Sequence, residues 1–107
     1  MGGRCAYDRP MFRHIVLLTF TDETTDEHLD HLVGMLGRLP GLIPSIRRYE
    51  FGRDAGLAEG NAGVGVVADF DDVDGYLEYR DHPDHQAVIA TMIRPFLAAR
   101  SAIQHEF

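Results

Sequence analysis

The side chains best suited to moving a proton lie in one short stretch, Tyr79-Arg80-Asp81-His82-Pro83-Asp84-His85. His82 precedes a proline and so must leave helical backbone. Pro83 is a favoured first helical residue, so a helix starting there explains both positions. His85 then falls at about the third helical position. The positive end of the helix dipole disfavours imidazolium there, while Asp84 favours it, and a neutral imidazole able to take a proton is the chemistry on offer. The competing reading is structural: His85 staples the break at Pro83, and His82 caps the helix behind it. His105 near the chain end is a further candidate, placed on the same side as His14 and able to orient His85.

Other chemistries lack their signatures. His82 and His85 have a three-residue spacing that a metal site can use, but zinc needs three protein ligands or more, and His14 and His105 would have to converge on them. No metal is expected. Gly60-Asn61-Ala62-Gly63-Val64-Gly65 leads into a strand rather than a helix, so the dinucleotide fingerprint is absent. No Ser or Cys sits in a nucleophile setting, and haem and flavin have no signal. The expectation is a site without cofactor.

The elements that must position these residues follow from periodicity. Arg13 to Phe20 alternates, with His14, Val16, Leu18 and Phe20 on one face and Ile15, Leu17 and Thr19 on the other. Both faces are greasy, so both must be covered. Thr24 to Glu27 offers a capping box for an amphipathic helix over about 25–38, carrying Leu29, Leu32, Val33, Leu36 and Leu39, and Pro40-Gly41 ends it. Leu42-Ile43-Pro44 is a short connection expected to bury both apolar residues. Ser45 to Arg53 is a second strand, residues 54–63 a Gly- and Ala-rich mobile loop, and Val64 to Phe70 a third strand. Val64, Val66, Ala68 and Phe70 share its inner face. A second helix opens at Asp71-Asp72, with Val73, Tyr76, Leu77 and Arg80 inward and Tyr79 at the edge. The helix from Pro83 turns His85, Ile89, Met92, Ile93 and Phe96 inward. Ser101 to Phe107 closes the chain as a strand with Ile103, His105 and Phe107 on one face.

The order β-α-β-β-α-β suits a four-stranded antiparallel sheet with its helices on one face, a ferredoxin-like α+β sandwich. Residues 1–11 form a loose N-terminal extension, and 12–107 are one domain. That arrangement leaves Ile15, Leu17 and Val67 on a bare sheet face. Covering them at roughly 25 cal/mol per Å² is worth several kcal/mol, so a second copy is expected there.

Bulk properties exclude other classes. The 107 residues carry a net charge of −7, which repels phosphates and argues against nucleic acid or an anionic membrane surface as partner. No apolar run approaches the roughly 20 residues that span a bilayer. Cys5 is the single cysteine, so no intrachain disulfide forms, and a cytoplasmic location is the default expectation.

These pieces together resemble the stress-responsive dimeric α+β barrel (Dabb) family. The resembling residues are Phe12-Arg13-His14-Ile15-Val16-Leu17-Leu18 and Phe20, Leu39-Pro40, Ile43-Pro44-Ser45-Ile46, Gly52-Arg53-Asp54, Asp69-Phe70-Asp71-Asp72, Tyr76-Leu77-Glu78-Tyr79 and His82-Pro83-Asp84-His85. They run in family order over residues 12–107, and the resemblance implies a homodimer whose two sheets close into a barrel. Similar proteins include plant stress-responsive members without established chemistry and cofactor-free polyketide cyclases of the olivetolic acid cyclase type, which close a chain by an aldol reaction. The resemblance to the cyclases implies a pocket for a small apolar carbonyl compound between sheet and helices. It puts their catalytic histidine on His85 and their catalytic tyrosine, an oxyanion donor, on Tyr79. Their strand histidine falls on His14, and a further pocket histidine falls on Val64, a departure that bears on the substrate. Val66, Ile89, Phe96 and His105 complete the expected lining. A non-enzymatic stress or ligand-binding protein and a cofactor-independent monooxygenase-like barrel are the alternatives.

Overall fold

A computed structural model describes residues 10–107, so the expected extension lies largely outside the described residues, as does Cys5. The elements run β1 (Phe12–Phe20), α1 (Asp26–Leu36), α2 (Leu39–Leu42), β2 (Arg48–Arg53), β3 (Val64–Phe70), α3 (Val73–Asp81), α4 (Pro83–Val88) and β4 (Leu97–Glu106). Between α4 and β4 the chain makes a π-helical turn, Ile89–Ile93, and a 3₁₀ turn, Arg94–Phe96. The sheet order is β2-β3-β1-β4, antiparallel throughout, with helices on one face. This is the ferredoxin-like fold expected.

The core lies between that face and the helices. Val16 and Leu18 of β1 and Val64, Val66, Ala68 and Phe70 of β3 meet Leu32, Leu36, Leu39, Val88, Met92 and Ile93. Alternation places His14 among them. Helix α1 starts one residue later than the capping-box reading, because the Thr25 hydroxyl accepts from the His28 amide. Pro40-Gly41 does not end the chain's helical run; both lie inside the short turn α2, with Pro40 near its start, where a missing N–H costs nothing. Of the pair expected to be buried there, Ile43 is, while Leu42 is exposed.

The loop after β2 is not the loose segment its composition suggested. The Asp54 carboxylate accepts from the Gly56 amide and the Asn61 side chain, and Gly56 and Gly60 adopt φ of 77° and 80°, which glycine alone takes without strain. Strand β4 starts at Leu97, four residues before the expected Ser101, because the 3₁₀ turn at Pro95 delivers the chain directly onto β1. Among the described residues no helix is long and apolar enough to cross a membrane.

On the open face, Val67, Ile15 and Ile103 line up across three strands. Leu17 and Ile103 are 47% and 57% exposed. Beside that strip, Asp69 is buried on the same face. Arg13 grips it bidentately at 2.7 and 2.9 Å and rests its guanidinium 4.2 Å from the Phe107 ring.

Candidate functional site

The break at His82-Pro83 builds the site. His82 is extended, its Nδ1 accepts from the Asp84 amide at 3.1 Å, and Pro83 opens α4, as the sequence predicts. The reversal folds α4 back onto the end of α3. Consequently the His85 ring stacks on Tyr79 at 4.0 Å between centroids. Tyr79 also packs on Phe70 and Tyr49. It is 2% exposed, whereas Tyr76 is only half-buried, the reverse of the helical periodicity. The cover comes from α4 and β2, which a count along α3 does not contain.

Two hydroxyls meet at the centre of this cluster, Tyr49 and Tyr79, 2.9 Å apart. Burial pushes the Tyr49 phenol up to about 12, against a smaller opposite pull from its bond to Tyr79. Burial also raises Tyr79, further than Tyr49, with the neighbouring Tyr49 adding to it. Both phenols are therefore neutral donors at neutral pH. One hydroxyl donates to the other, and the second proton is left to donate elsewhere.

Each imidazole has a defined tautomer. His85 Nδ1 lies 3.1 Å from the Arg80 carbonyl, which can only accept, so Nδ1–H donates and the lone pair of the neutral ring is on Nε2. Burial lowers the His85 pKa, opposed by the Arg80 carbonyl bond, which favours the protonated ring. His14 is 4% exposed and receives the Gln104 amide N–H on Nδ1 at 2.8 Å, so its neutral ring carries hydrogen on Nε2. Burial, then the positive charge of Arg100, lowers it to about 4. His14 also lies 5.0 Å from the Tyr76 ring and 6.3 Å from Tyr79.

Of the residues expected at the site, His14, Tyr79 and His85 come together. Val64 and Val66 are buried on the same sheet face, further along the strands from Phe70. Ile89 packs against the core one turn after His85. Phe96 does not face the cluster by ring contact: it stacks on His28 at 4.0 Å. His28 reaches the Met92 carbonyl with Nε2 at 2.8 Å, tying α1 to the π-helical turn. His105 lies on the opposite face from His14. It pairs with Arg13 across the strands, and Gln104 is the residue opposite His14. Because β4 is exposed on both sides, its pattern carries no parity signal, and the assignment fell on the wrong register.

Sequence reasoning missed Tyr49 and Gln104. Tyr49 alternates with Phe51 on the less polar side of β2, which is a usable signal for an inward tyrosine. Gln104 had none, since only the register of β4 brings it to His14. Among the described residues no three His, Cys, Asp or Glu side chains are arranged to hold a metal ion.

The comparisons with known proteins agree with this architecture. The chain is 39% identical to a dimeric ferredoxin-like protein of unknown function from Thermobifida fusca, over all of both chains, with a TM-score of 0.85. It is 26% identical to a dimeric protein of unknown function and ferredoxin-like fold from Bacteroides fragilis, covering 91% of this chain and 96% of that one, TM-score 0.81. A hydroxynitrile lyase from Passiflora edulis shares the fold at 16% identity, TM-score 0.80, covering 94% and 95%. No curated protein matches. The model of the stress responsive A/B barrel domain matches residues 12–107, and the chain belongs to that family.

Proposed function

We propose that the His14–Tyr49–Tyr79–His85 cluster is a cofactor-free acid–base site for a small, largely apolar carbonyl compound, leading to cyclisation or isomerisation. The observation that carries the reading is His85. Its Nδ1–H is committed to the Arg80 carbonyl, and burial keeps it neutral, so Nε2 is a base with a fixed lone pair stacked beside a phenol. Nε2 takes the proton next to the substrate carbonyl. The Tyr49–Tyr79 pair keeps its proton and donates a hydrogen bond to the enolate oxygen. In an isomerisation the imidazolium then returns the proton to a different carbon. In a cyclisation it returns the proton to the alkoxide formed when the enolate carbon attacks a second carbonyl of the same substrate. Positioned acid–base help of this kind is typically worth about 10² to 10⁴ in rate. That the fold accommodates carbonyl chemistry is suggested by its similarity to the hydroxynitrile lyase.

One observation favours a second reading, a non-catalytic ligand-binding or stress protein. Tyr79 is closed over, with its hydroxyl already answered by Tyr49. Turnover of polyketide-like and lactone substrates by wild type, His85→Ala and Tyr79→Phe separates the two. The acid–base reading expects His85→Ala to lose at least about a hundredfold in kcat. Equal turnover by wild type and His85→Ala removes His85 from the chemistry and leaves the ligand-binding reading.

A further inference from the structure

Strand β4 is an edge of the sheet, and the helices do not cover it: in the single protomer every residue from Ala98 to Glu106 is exposed. Its helix-side strip runs Arg100, Ala102, Gln104, opposite Leu18, Val16 and His14 of β1. The strip begins at Gln104, whose amide holds His14, and ends roughly 13 Å away at the Cα of Arg100, four residues along an extended strand. Ala102 between them leaves the floor flat.

Arg100 stands out from most of its kind. Arg13, Arg47, Arg48, Arg53 and Arg80 each form an ion pair with a carboxylate. The Arg100 side chain has no ion pair or hydrogen bond among the described residues, in a chain of net charge −7. The side chains of Arg38 at the start of α2 and Arg94 in the 3₁₀ turn also have no ion pair or hydrogen bond among the described residues, but they belong to the helical layer. The field of Arg100 reaches the site, since its charge is the largest cause after burial in depressing His14.

We propose that Arg100 is a specificity residue that binds the carboxylate of the substrate, so that the site takes medium-length oxo acids lying along β4 with the reacting carbonyl at His85. The inference rests on the ligand site proposed above. A guanidinium fork matches a carboxylate bidentately, whereas an ester offers it no charge. The small Ala102 gives an alkyl chain room between the two ends.

The test titrates wild type and Arg100→Ala with 7-oxooctanoate and with its methyl ester, following the Gln104 side-chain amide and the His85 ring by NMR. Arg100 is exposed, so the variant folds. An exposed ion pair of this kind predicts that wild type binds the acid about fivefold more tightly than the ester. The preference disappears in Arg100→Ala and shrinks as salt is raised. If acid and ester bind wild type equally, or the acid keeps its advantage in Arg100→Ala, the role of Arg100 is overturned while the site itself stands. If neither compound shifts Gln104 or His85, the role of Arg100 and the ligand site fall together.

Discussion

The two faces of the sheet both take polar side chains out of water, and they do so by opposite means. On the helix-covered face the polar groups are neutral: two imidazoles with lowered pKa values and two phenols with raised ones, bonded to each other, to a backbone carbonyl or to an amide. On the open face the polar group is a charge, Asp69, and it is kept by a bidentate arginine with an aromatic ring beneath. Burial on the inner face keeps both imidazoles unprotonated at neutral pH, the form in which His85 can accept a proton. The outer pair fixes a charged end beside an apolar strip, which suits the register of two copies better than chemistry.

The strongest way to break that contrast is to put a charge on the apolar strip. Ile103→Glu is expected to leave the protomer folded, since the residue is 57% exposed, while setting carboxylates of the two copies against one another. Like charges across an interface cost several kcal/mol, so the dimer constant should weaken by about a hundredfold or more. Sedimentation equilibrium reads it directly. An unchanged dimer would place the interface on some other surface.

The fold was legible because it rests on periods. Alternation in β1 and β3 and the leucine spacing of α1 survive in the structure nearly residue for residue, and the His82-Pro83 break obeys backbone rules that need no tertiary context. The candidate site was legible at His85, and its surroundings were obscured. Tyr79 is buried by what folds over it, Gln104 is recruited by strand register, and His28 is drawn in by a carbonyl in a π-helical turn. Each of these depends on residues far away in sequence, which local periodicity does not report. His105 shows the same limit from the other side: an exposed edge strand has no buried face to fix which way its histidine points.

Acid titration sharpens the inner half of the comparison. His14 titrates at about 4 when folded and at about 6.5 when unfolded, so between those values the unfolded chain holds more protons. Stability is therefore undiminished above pH 6.5 and falls as pH drops toward 4, by about 3 kcal/mol in all. His85 is lowered too and contributes in the same direction. Urea unfolding at pH 7, 5.5 and 4, at one protein concentration, should show a shallower loss for His14→Gln than for wild type. Parallel curves would mean that His14 is protonated without cost.

On the outer face the expected effect is smaller. Asp69→Asn leaves the Arg13 guanidinium facing an amide instead of a carboxylate. A fully buried pair broken this way costs about 3–5 kcal/mol, but Arg13 is partly exposed and rehydrates, so about 2 kcal/mol is expected. Differential scanning calorimetry at neutral pH measures it. A loss below a few tenths of a kcal/mol would show that water already solvates Arg13, and that the outer charge is held more loosely than its geometry suggests.

The finest test separates hydroxyl from ring at the Tyr49–Tyr79 pair. Tyr49→Phe keeps the aromatic contacts with Phe51 and Tyr79 and removes only the oxygen, leaving the Tyr79 hydroxyl buried without its 2.9 Å partner. An unanswered buried hydroxyl costs about 1 kcal/mol, the smallest stability change in this series. Its direction in function is the sharper readout. If the pair serves an oxyanion, Tyr49 positions Tyr79, and its loss lowers kcat with little change in KM. Restoring a donor with Tyr49→His then recovers part of the rate. If the pair is only core, Tyr49→Phe loses stability while ligand affinity and turnover remain as in wild type. A neutral inner face would then be a packing solution, and the chemistry would have to rest on His85 alone.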